Sequence, residues 1–193
     1  MKDQNTLKVE YKVKGMICSR CIKVLHDELV KAGAKIMEID LGRMLIEYNP
    51  IEIHHSYIER VIQENDFELI KNKETLLAEK AKIWVINYIW NSNLDQKLSE
   101  YILEKMQIRS YEKLSRTFSK TFGKTIERYC MLLKIERAKE MVEYGEVSLG
   151  EIAYSLGYQN PSALSRQFKQ ETGMTLREYK KLDLSQRTPL DRI

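Results

Sequence analysis

The chain has 193 residues, of which 43% are hydrophobic, so it can form one large domain or two small ones around a buried core. Its formal net charge of +4 is unevenly distributed: residues 1–70 hold 10 Lys and Arg against 12 Asp and Glu, whereas residues 71–193 hold 22 against 16. A basic C-terminal part suits a polyanionic partner, and the longest apolar run, at 83–86, is far too short to span a bilayer.

The cysteines and the first residues indicate the compartment. Three cysteines, two of them three positions apart, do not make a disulfide framework, and the first residues lack the apolar core of a secretory signal. These features predict a cytoplasmic protein in a reducing compartment, with no membrane partner. No metal-hydrolase spacing, phosphate loop or nucleophile–base set is present, so the chain is not expected to be an enzyme.

The N-terminal part shows the element order strand, helix, strand, strand, helix, strand. Alternating apolar residues indicate strands, and apolar residues at helical spacing indicate helices. The order is that of a ferredoxin-like βαββαβ domain. The predicted strands lie at 7–13, 36–41, 44–48 and 67–70, and the predicted helices at 19–32 and about 56–64.

A loop with two cysteines, GMICSRC at 15–21, follows the first strand. Soft thiolates select soft ions such as Cu(I), and the start of a helix favours the thiolate form of Cys18 and Cys21. Two sulfurs suit a two-coordinate soft ion, whereas Zn(II) normally takes four ligands. The loop also resembles the GMxCxxC loop of heavy-metal-associated domains, found in copper chaperones and metal-transport ATPases. The resemblance covers residues 7–70 and implies a metal site at these two cysteines, with Cu(I) as the first choice.

Histidines are not expected to complete this site. In the predicted fold His54 and His55 lie at the opposite end of the sheet, and His26 is nearly two turns into its helix. Residues 65–67 are the ones expected beside the cysteines. Two alternatives remain at this point: a domain that keeps the fold without binding metal, and a thiol–disulfide switch. The residues do not separate Cu(I) from Hg(II).

Residues 73–90 are predicted to form one helix whose second half is apolar almost all round. This helix either packs on the C-terminal part or forms a homodimer interface, since Trp and Tyr are favoured at interfaces. The polar run at 91–93 ends it.

Residues 95–182 contain an internal repeat with a period of about fifty residues, and repeats carry strong weight in assigning a fold. Each copy predicts a helix, a turn and a second helix, which is the outline of a DNA-binding helix-turn-helix. A long helix over 126–144 joins the two copies. The matching pairs are Leu114 and Leu164, Ser115 and Ser165, Arg116 and Arg166, Phe118 and Phe168, Gly123 and Gly173, Thr125 and Thr175, and Tyr129 and Tyr179.

These residues closely resemble the DNA-binding domain of AraC/XylS-type transcriptional regulators. The resemblance implies two recognition helices in successive major grooves, ~34 Å apart. The first copy departs from the pattern, with Leu103 where the second has Ala153 and Gln107 where the second has Gly157. Its helices are therefore expected to pack somewhat differently.

The side chains expected to face DNA lie on the two recognition helices. Arg116 and Arg166 suit either base or phosphate contacts, and a salt bridge inside the domain is the alternative for both. The aromatic residues of the repeat and Cys130 are expected in the core. The predicted DNA-binding residues are Ser110, Tyr111, Ser115, Arg116 and Lys120 in the first copy and Asn160, Ser162, Ser165, Arg166 and Lys169 in the second.

The fold class is therefore α+β, with a ferredoxin-like domain followed by an all-α domain of two helix-turn-helix units on a spine helix. The predicted function is a sequence-specific transcriptional regulator that responds to a soft metal ion. The alternative is a DNA-tethered metal carrier or interaction module without allosteric control. Double-stranded DNA is the main partner, and a metal chaperone and RNA polymerase are candidate protein partners. The predicted division is 1–71, a connector at 72–94, 95–183, and a flexible tail at 184–193.

Overall fold

The computed structural model describes residues 6–182 and 187–193. They form a mixed α/β structure that is mostly helical, with a small antiparallel sheet near the N-terminus. The chain divides into two compact units, Met1–Ile83 and Trp84–Ile193. In the part of the chain that is described, no helix combines the length and the apolar character needed to cross a membrane.

The first unit follows the predicted strand and helix order. Its sheet has the strand order β2-β3-β1-β4, and each neighbouring pair is antiparallel. The central strand β1 pairs along its length with β3 and, at its end, with the short β4. The elements are β1 (Leu7–Lys14), α1 (Ser19–Lys31), β2 (Lys35–Asp40), β3 (Arg43–Tyr48), α2 (His55–Glu64) and β4 (Glu68–Leu69).

The core of this unit lies between one face of the sheet and the two helices. Alternate residues of β3 are buried, and α1 and α2 each turn one apolar stripe inwards. Met16, from the cysteine loop, is fully buried in the same cluster. The loop is thereby anchored to the core two residues after the end of β1. Other fully buried members are Leu25, Leu29, Met44, Ile46, Ile58 and Ile62.

One helix, α3 (Lys73–Asn91), crosses the division between the two units. Its first half belongs to the sheet unit, where Ile83 lies against the hairpin: a Cβ added to Gly42 would sit 3.1 Å from Ile83 Cδ1. Its second half belongs to the helical unit, where Tyr88 donates a hydrogen bond to Gln96 O at 2.7 Å. Much of the apolar surface of α3 is therefore buried within the chain itself.

The second unit consists of helices packed around one long helix. That helix, α6 (Ile126–Tyr144), contacts α5, α7, α8 and α9, and it is the spine predicted at 126–144. The surrounding helices are α4 (Leu98–Met106), α5 (Tyr111–Phe122), α7 (Leu149–Ser155), α8 (Pro161–Thr172) and α9 (Leu176–Tyr179).

The two helix-turn-helix units differ at their turns in the way the sequence indicates. The turn between α7 and α8 contains Gly157 at φ 72°, and the turn between α4 and α5 contains Gln107 at φ 53°. Both residues adopt the left-handed conformation, which costs roughly 1–2 kcal/mol for a residue with a side chain and little for glycine. The first helix-turn-helix unit therefore has the same left-handed conformation in its turn as the second, but with a side chain that makes this conformation less favourable.

Residues 184–186 of the expected tail lie outside the described residues. Residues 187–193 lie against the spine, where Thr188 N donates to Glu136 Oε2 at 2.7 Å and Arg187 lies 3.2 Å from Glu140. A short 3-10 helix, Leu190–Arg192, follows, and Lys124 Nζ lies 2.9 Å from Ile193 O.

Candidate nucleic-acid interface and cysteine site

The helix α8 buries one side and leaves a polar side exposed. Leu164 and Phe168 are fully buried, and the Phe168 ring meets the Tyr179 ring edge-on at 5.6 Å between centroids. This packing fixes the rotation of α8, since the two apolar residues lie one turn apart. The predicted contact residues Ser162, Ser165, Arg166 and Lys169 are all on the exposed side.

The helix α5 repeats this arrangement in the first helix-turn-helix unit. Leu114 and Phe118 are buried, and Phe118 packs against Tyr129 of the spine at 5.7 Å. The predicted contact residues of this copy differ in exposure: Ser110, Arg116 and Lys120 are exposed, and Tyr111 and Ser115 are half-buried.

Two of the predicted contact residues cap their helices. Ser110 Oγ accepts a hydrogen bond from Lys113 N at 3.2 Å, and Asn160 Oδ1 accepts one from Ala163 N at 2.9 Å. Such caps satisfy backbone donors that the first turn leaves free. Both residues therefore serve to start the recognition helices, and their contact with DNA stays a prediction.

Tyr111 is held by the spine helix. Its hydroxyl donates to Glu127 Oε1 at 2.6 Å, and burial, followed by this bond, raises the pKa of the phenol. The bond joins α5 to α6, so Tyr111 positions the first recognition helix. Glu127 lies sixteen residues further along the chain, a contact that periodicity does not predict.

The two equivalent arginines have different neighbours. Arg116 bonds to Glu112, one helical turn earlier, and the two side chains are 76% and 75% exposed. In the second copy Ser162 occupies the position of Glu112, and among the described residues no carboxylate pairs with Arg166. Glu112 is not among the residues that the sequence predicts for this face, although the four-residue spacing of opposite charges indicates the pair.

A bidentate ion pair joins α8 to the spine. The guanidinium of Arg128 on α6 donates to both carboxylate oxygens of Glu171, at 2.6 and 2.7 Å. Glu171 is only 11% exposed at its side chain, so the pair is partly shielded from water. It fixes the last turn of α8 and turns an acidic side chain of that helix towards the protein.

The cysteine loop brings both thiols together at the start of α1. Cys18 is the N-cap residue of α1, and its Sγ lies 2.9 Å from Sγ of Cys21. Both side chains are half-buried. Phe67 lies beside the loop as expected, with its Cδ1 3.6 Å from a Cβ added to Gly15.

The environment of Cys21 differs from the expectation of an acidic thiol. Burial raises the pKa of Cys21, and the hydrogen bond with Cys18 raises it further. The backbone N–H groups of Ile17 and Cys18 act in the opposite direction but are outweighed. Burial is therefore the stronger influence on this thiol, and the opposing N–H groups belong to residues that precede α1.

The site offers sulfur ligands alone. In the described residues no group of three or more His, Cys, Asp or Glu side chains is arranged to hold a metal ion. His55 is engaged elsewhere, with its Nδ1 2.8 Å from the Tyr11 hydroxyl and 3.0 Å from that of Tyr48. A pair of adjacent thiols fits a two-coordinate soft ion and does not fit the four ligands of structural zinc.

Comparison with known proteins finds a family and several relatives that are similar to the helical repeat. Residues 108–182 match the family described as "Helix-turn-helix domain". The chain is 29% identical to the uncharacterized HTH-type transcriptional regulator YobQ of Bacillus subtilis over an alignment of 132 residues, and the match covers 54% of this chain. It is 22% identical over 157 residues, or 81% of its length, to the uncharacterized HTH-type transcriptional regulator YdeC of the same organism.

These matches are partial. The chain spans about half the length of the curated relatives it matches, 52% of YobQ and 50% of YdeC. Among solved structures, the C-terminal domain of AraT, a response regulator from Geobacillus stearothermophilus, superimposes with a TM-score of 0.50. It is 22% identical and covers 61% of this chain and 95% of that domain, so it supports the fold of the helical part.

Proposed function

We propose, from the helix-turn-helix domain matched at residues 108–182, that the chain is a sequence-specific regulator of transcription of AraC type. The observation that carries the proposal is the repeated pair of helix-turn-helix units on one spine helix, each with a capped recognition helix and an exposed basic side. The relatives are transcriptional regulators by name, and the proposal accordingly includes no enzymatic activity. A cytoplasmic location follows from DNA as the partner.

The second recognition helix is proposed as the main reader of bases. Arg166 and Lys169 are exposed on α8, and the acidic Glu171 of the same helix is turned towards Arg128. The exposed side therefore combines cations with the small polar Ser162 and Ser165, a set that can approach a major groove. In the first copy the exposed side includes Glu112 and is less suited to the phosphate backbone.

The test is selection of a duplex from a random library by the full chain, followed by affinity measurements at several salt concentrations. Arg166→Ala should weaken binding to the selected duplex and relax its sequence preference. Lys23→Ala removes the same charge from an exposed position on α1 in the other unit and serves as the matched control. Equal effects of the two variants would contradict a base-reading role for Arg166.

The sheet unit is proposed as a ferredoxin-like, heavy-metal-associated domain that makes the regulator responsive to a soft metal ion, with Cu(I) the first choice. The strand order, the two adjacent thiols of Cys18 and Cys21, and the lack of further ligands in the described residues support it. The sulfurs of Cys18 and Cys21 would coordinate a bound ion, which would link the two side chains. The protein would hold the pair at the start of α1 and keep Met16 of the loop in the core.

This proposal is tested by titrating the full chain with Cu(I), Hg(II) and Zn(II) while DNA binding is followed. A soft ion should change the affinity for the selected duplex, and Cys18→Ser with Cys21→Ser should abolish the change. Cys130→Ala removes the third, buried thiol and is the control. Binding of Cu(I) with no effect on DNA affinity would favour the alternative, a DNA-tethered carrier that exchanges metal with a chaperone.

A homodimer through 73–90 and contact with RNA polymerase complete the proposed partners. The dimer is checked by sedimentation of the full chain at several concentrations, with and without duplex. The apolar residues of α3 are mostly buried within one chain, so any dimer contact would rely on its half-buried side chains such as Trp84 and Trp90.

A further inference from the structure

The first turn of the spine helix α6 is fixed in the core of the helical unit. Its residues Ile126 and Tyr129 are buried. Thr125 caps the turn, and its Oγ1 accepts a hydrogen bond from Arg128 N at 3.1 Å. Glu127 and Arg128 lie between the two buried residues and are exposed, about 100° apart around the helix axis. Two neighbouring side chains of one fixed turn can therefore reach different partners.

These two neighbours bind the two recognition helices, one each. Glu127 Oε1 accepts a hydrogen bond from the Tyr111 hydroxyl at 2.6 Å, and Tyr111 is the first residue of α5. Arg128 donates to both carboxylate oxygens of Glu171, at 2.6 and 2.7 Å, and Glu171 lies in the last turn of α8. One turn of the spine thus fastens the beginning of the first recognition helix and the end of the second.

Each of these contacts adds a second fixed point to a helix that is already packed. In α5 and α8 buried apolar residues hold the middle of the helix. Two fixed points define the direction of a helix, whereas one leaves it free to pivot. The bidentate pair at Glu171 fixes direction as well as distance, and the side chain of Glu171 is only 11% exposed.

We propose that Glu127 and Arg128 are positioning residues that set the separation and angle between α5 and α8, and thereby the spacing of the two DNA segments that the chain accepts. One added base pair shifts the second segment by ~3.4 Å and turns it by about 35° around the duplex. Two recognition helices held at fixed points cannot follow both changes. The inference rests on the proposed DNA binding, and it names the contacts that select the geometry of the operator.

The experiment uses the selected duplex and two derivatives with one base pair added or removed between the two recognised segments, which footprinting locates first. The spacing penalty is the affinity for the selected duplex divided by the affinity for a derivative. Partial unfolding of a variant lowers both affinities by the same factor. The penalty therefore reports the placement of the recognition helices and is insensitive to a general loss of stability.

Four variants of the full chain are compared with wild type: Arg128→Ala, Tyr111→Phe, the exchanged pair Arg128→Glu with Glu171→Arg, and Lys31→Ala. Tyr111→Phe removes the hydroxyl that bonds to the spine and keeps the ring. Lys31→Ala is the matched control, because it removes one cation from an ion pair within α1, where Lys31 Nζ lies 2.5 Å from Glu28.

Wild type should show a spacing penalty of roughly five- to 150-fold, which corresponds to the loss of one base contact. In Arg128→Ala and in Tyr111→Phe the penalty should fall by about threefold or more, within the range measured for residues in contact. The exchanged pair restores the attraction between α6 and α8 and should recover most of the penalty. Lys31→Ala should leave it unchanged.

An unchanged penalty in either Arg128→Ala or Tyr111→Phe would overturn the inference, as would a wild type that binds all three duplexes equally. Failure of the full chain to select any duplex would instead overturn the proposed function. Residual dipolar couplings of backbone amides in the DNA-free chain then decide the inference. They must report a changed orientation of α8 relative to α6 in Arg128→Ala and not in Lys31→Ala, and the wild-type orientation in both would refute the positioning role.

Discussion

Arginines at equivalent positions of the two repeat copies allow a prediction in which a substitution in one copy serves as the control for the same substitution in the other. Arg116 and Arg166 occupy equivalent positions on α5 and α8, and both are exposed. Arg116 bonds to Glu112, whereas Arg166 has Ser162 at the equivalent place. A guanidinium that approaches DNA from α5 must first leave its carboxylate, and that exposed carboxylate would repel the phosphates of a duplex bound by this face. Arg166 has no such cost among the described residues.

The magnitudes follow from this difference. An arginine that contacts a base edge is worth about 1–3 kcal/mol, or roughly 5- to 150-fold in affinity, so Arg166→Ala should lose an amount in that range. An exposed pair one turn apart is worth about 0.3–0.5 kcal/mol, or roughly twofold. Arg116→Ala should therefore lose less than Arg166→Ala, and Glu112→Gln should raise affinity about twofold or somewhat more at low salt.

The assay is fluorescence anisotropy of the selected duplex with the full chain at several salt concentrations. The gain from Glu112→Gln should shrink as salt screens the exposed charges. A loss of more than about tenfold in Glu112→Gln would refute the reasoning, because Glu112 would then itself be reading a base, as a carboxylate can at cytosine N4. Equal losses in the two arginine variants would also contradict it.

Two further predictions concern stability. Gln107→Gly should raise the free energy of unfolding by about 0.5–1 kcal/mol, because Gln107 adopts a left-handed conformation, and Gly157→Gln should lower it. Thermal denaturation of the two variants measures both changes. A lower stability of Gln107→Gly would contradict the strain assigned to Gln107. Burial raises the pKa of Cys130 from its ordinary value near 9 to about 11, so the folded chain keeps a proton that the unfolded chain loses between these pH values. Stability should therefore fall as the pH rises from about 9 to about 11, by about 2–3 kcal/mol more in wild type than in Cys130→Ala. Urea titrations across this pH range measure the difference, and parallel curves would show that the thiol is not the cause.

The helical part follows from the sequence to a large extent. The repeat fixes which residues are equivalent, and Leu114, Phe118, Leu164 and Phe168 are buried as their spacing predicts. Local signals work here because caps, turns and helix faces depend on residues only a few positions apart. The long helix over 126–144 is predicted from the same kind of pattern.

The contacts that position the sites are less visible in the sequence. Tyr111 meets Glu127 on another helix, and Arg128 meets Glu171 across forty-three positions. Periodicity carries no information about such partners, because it describes one element at a time. The thiol of Cys21 shows the same limit: its place at a helix start is readable, but the burial that raises its pKa depends on the packed loop.

The helix α3 has a consequence for how the chain unfolds and how it can be divided. Tyr101 of α4 packs against two rings of α3, Trp84 at 6.4 Å and Tyr88 at 5.1 Å between centroids. A fragment that begins at Leu94 keeps both helix-turn-helix units but leaves these surfaces in water. Because helix formation is cooperative, melting the first half of α3 also weakens its second half. The two units are therefore expected to share part of one unfolding transition, and the segment between them is a structural element of each.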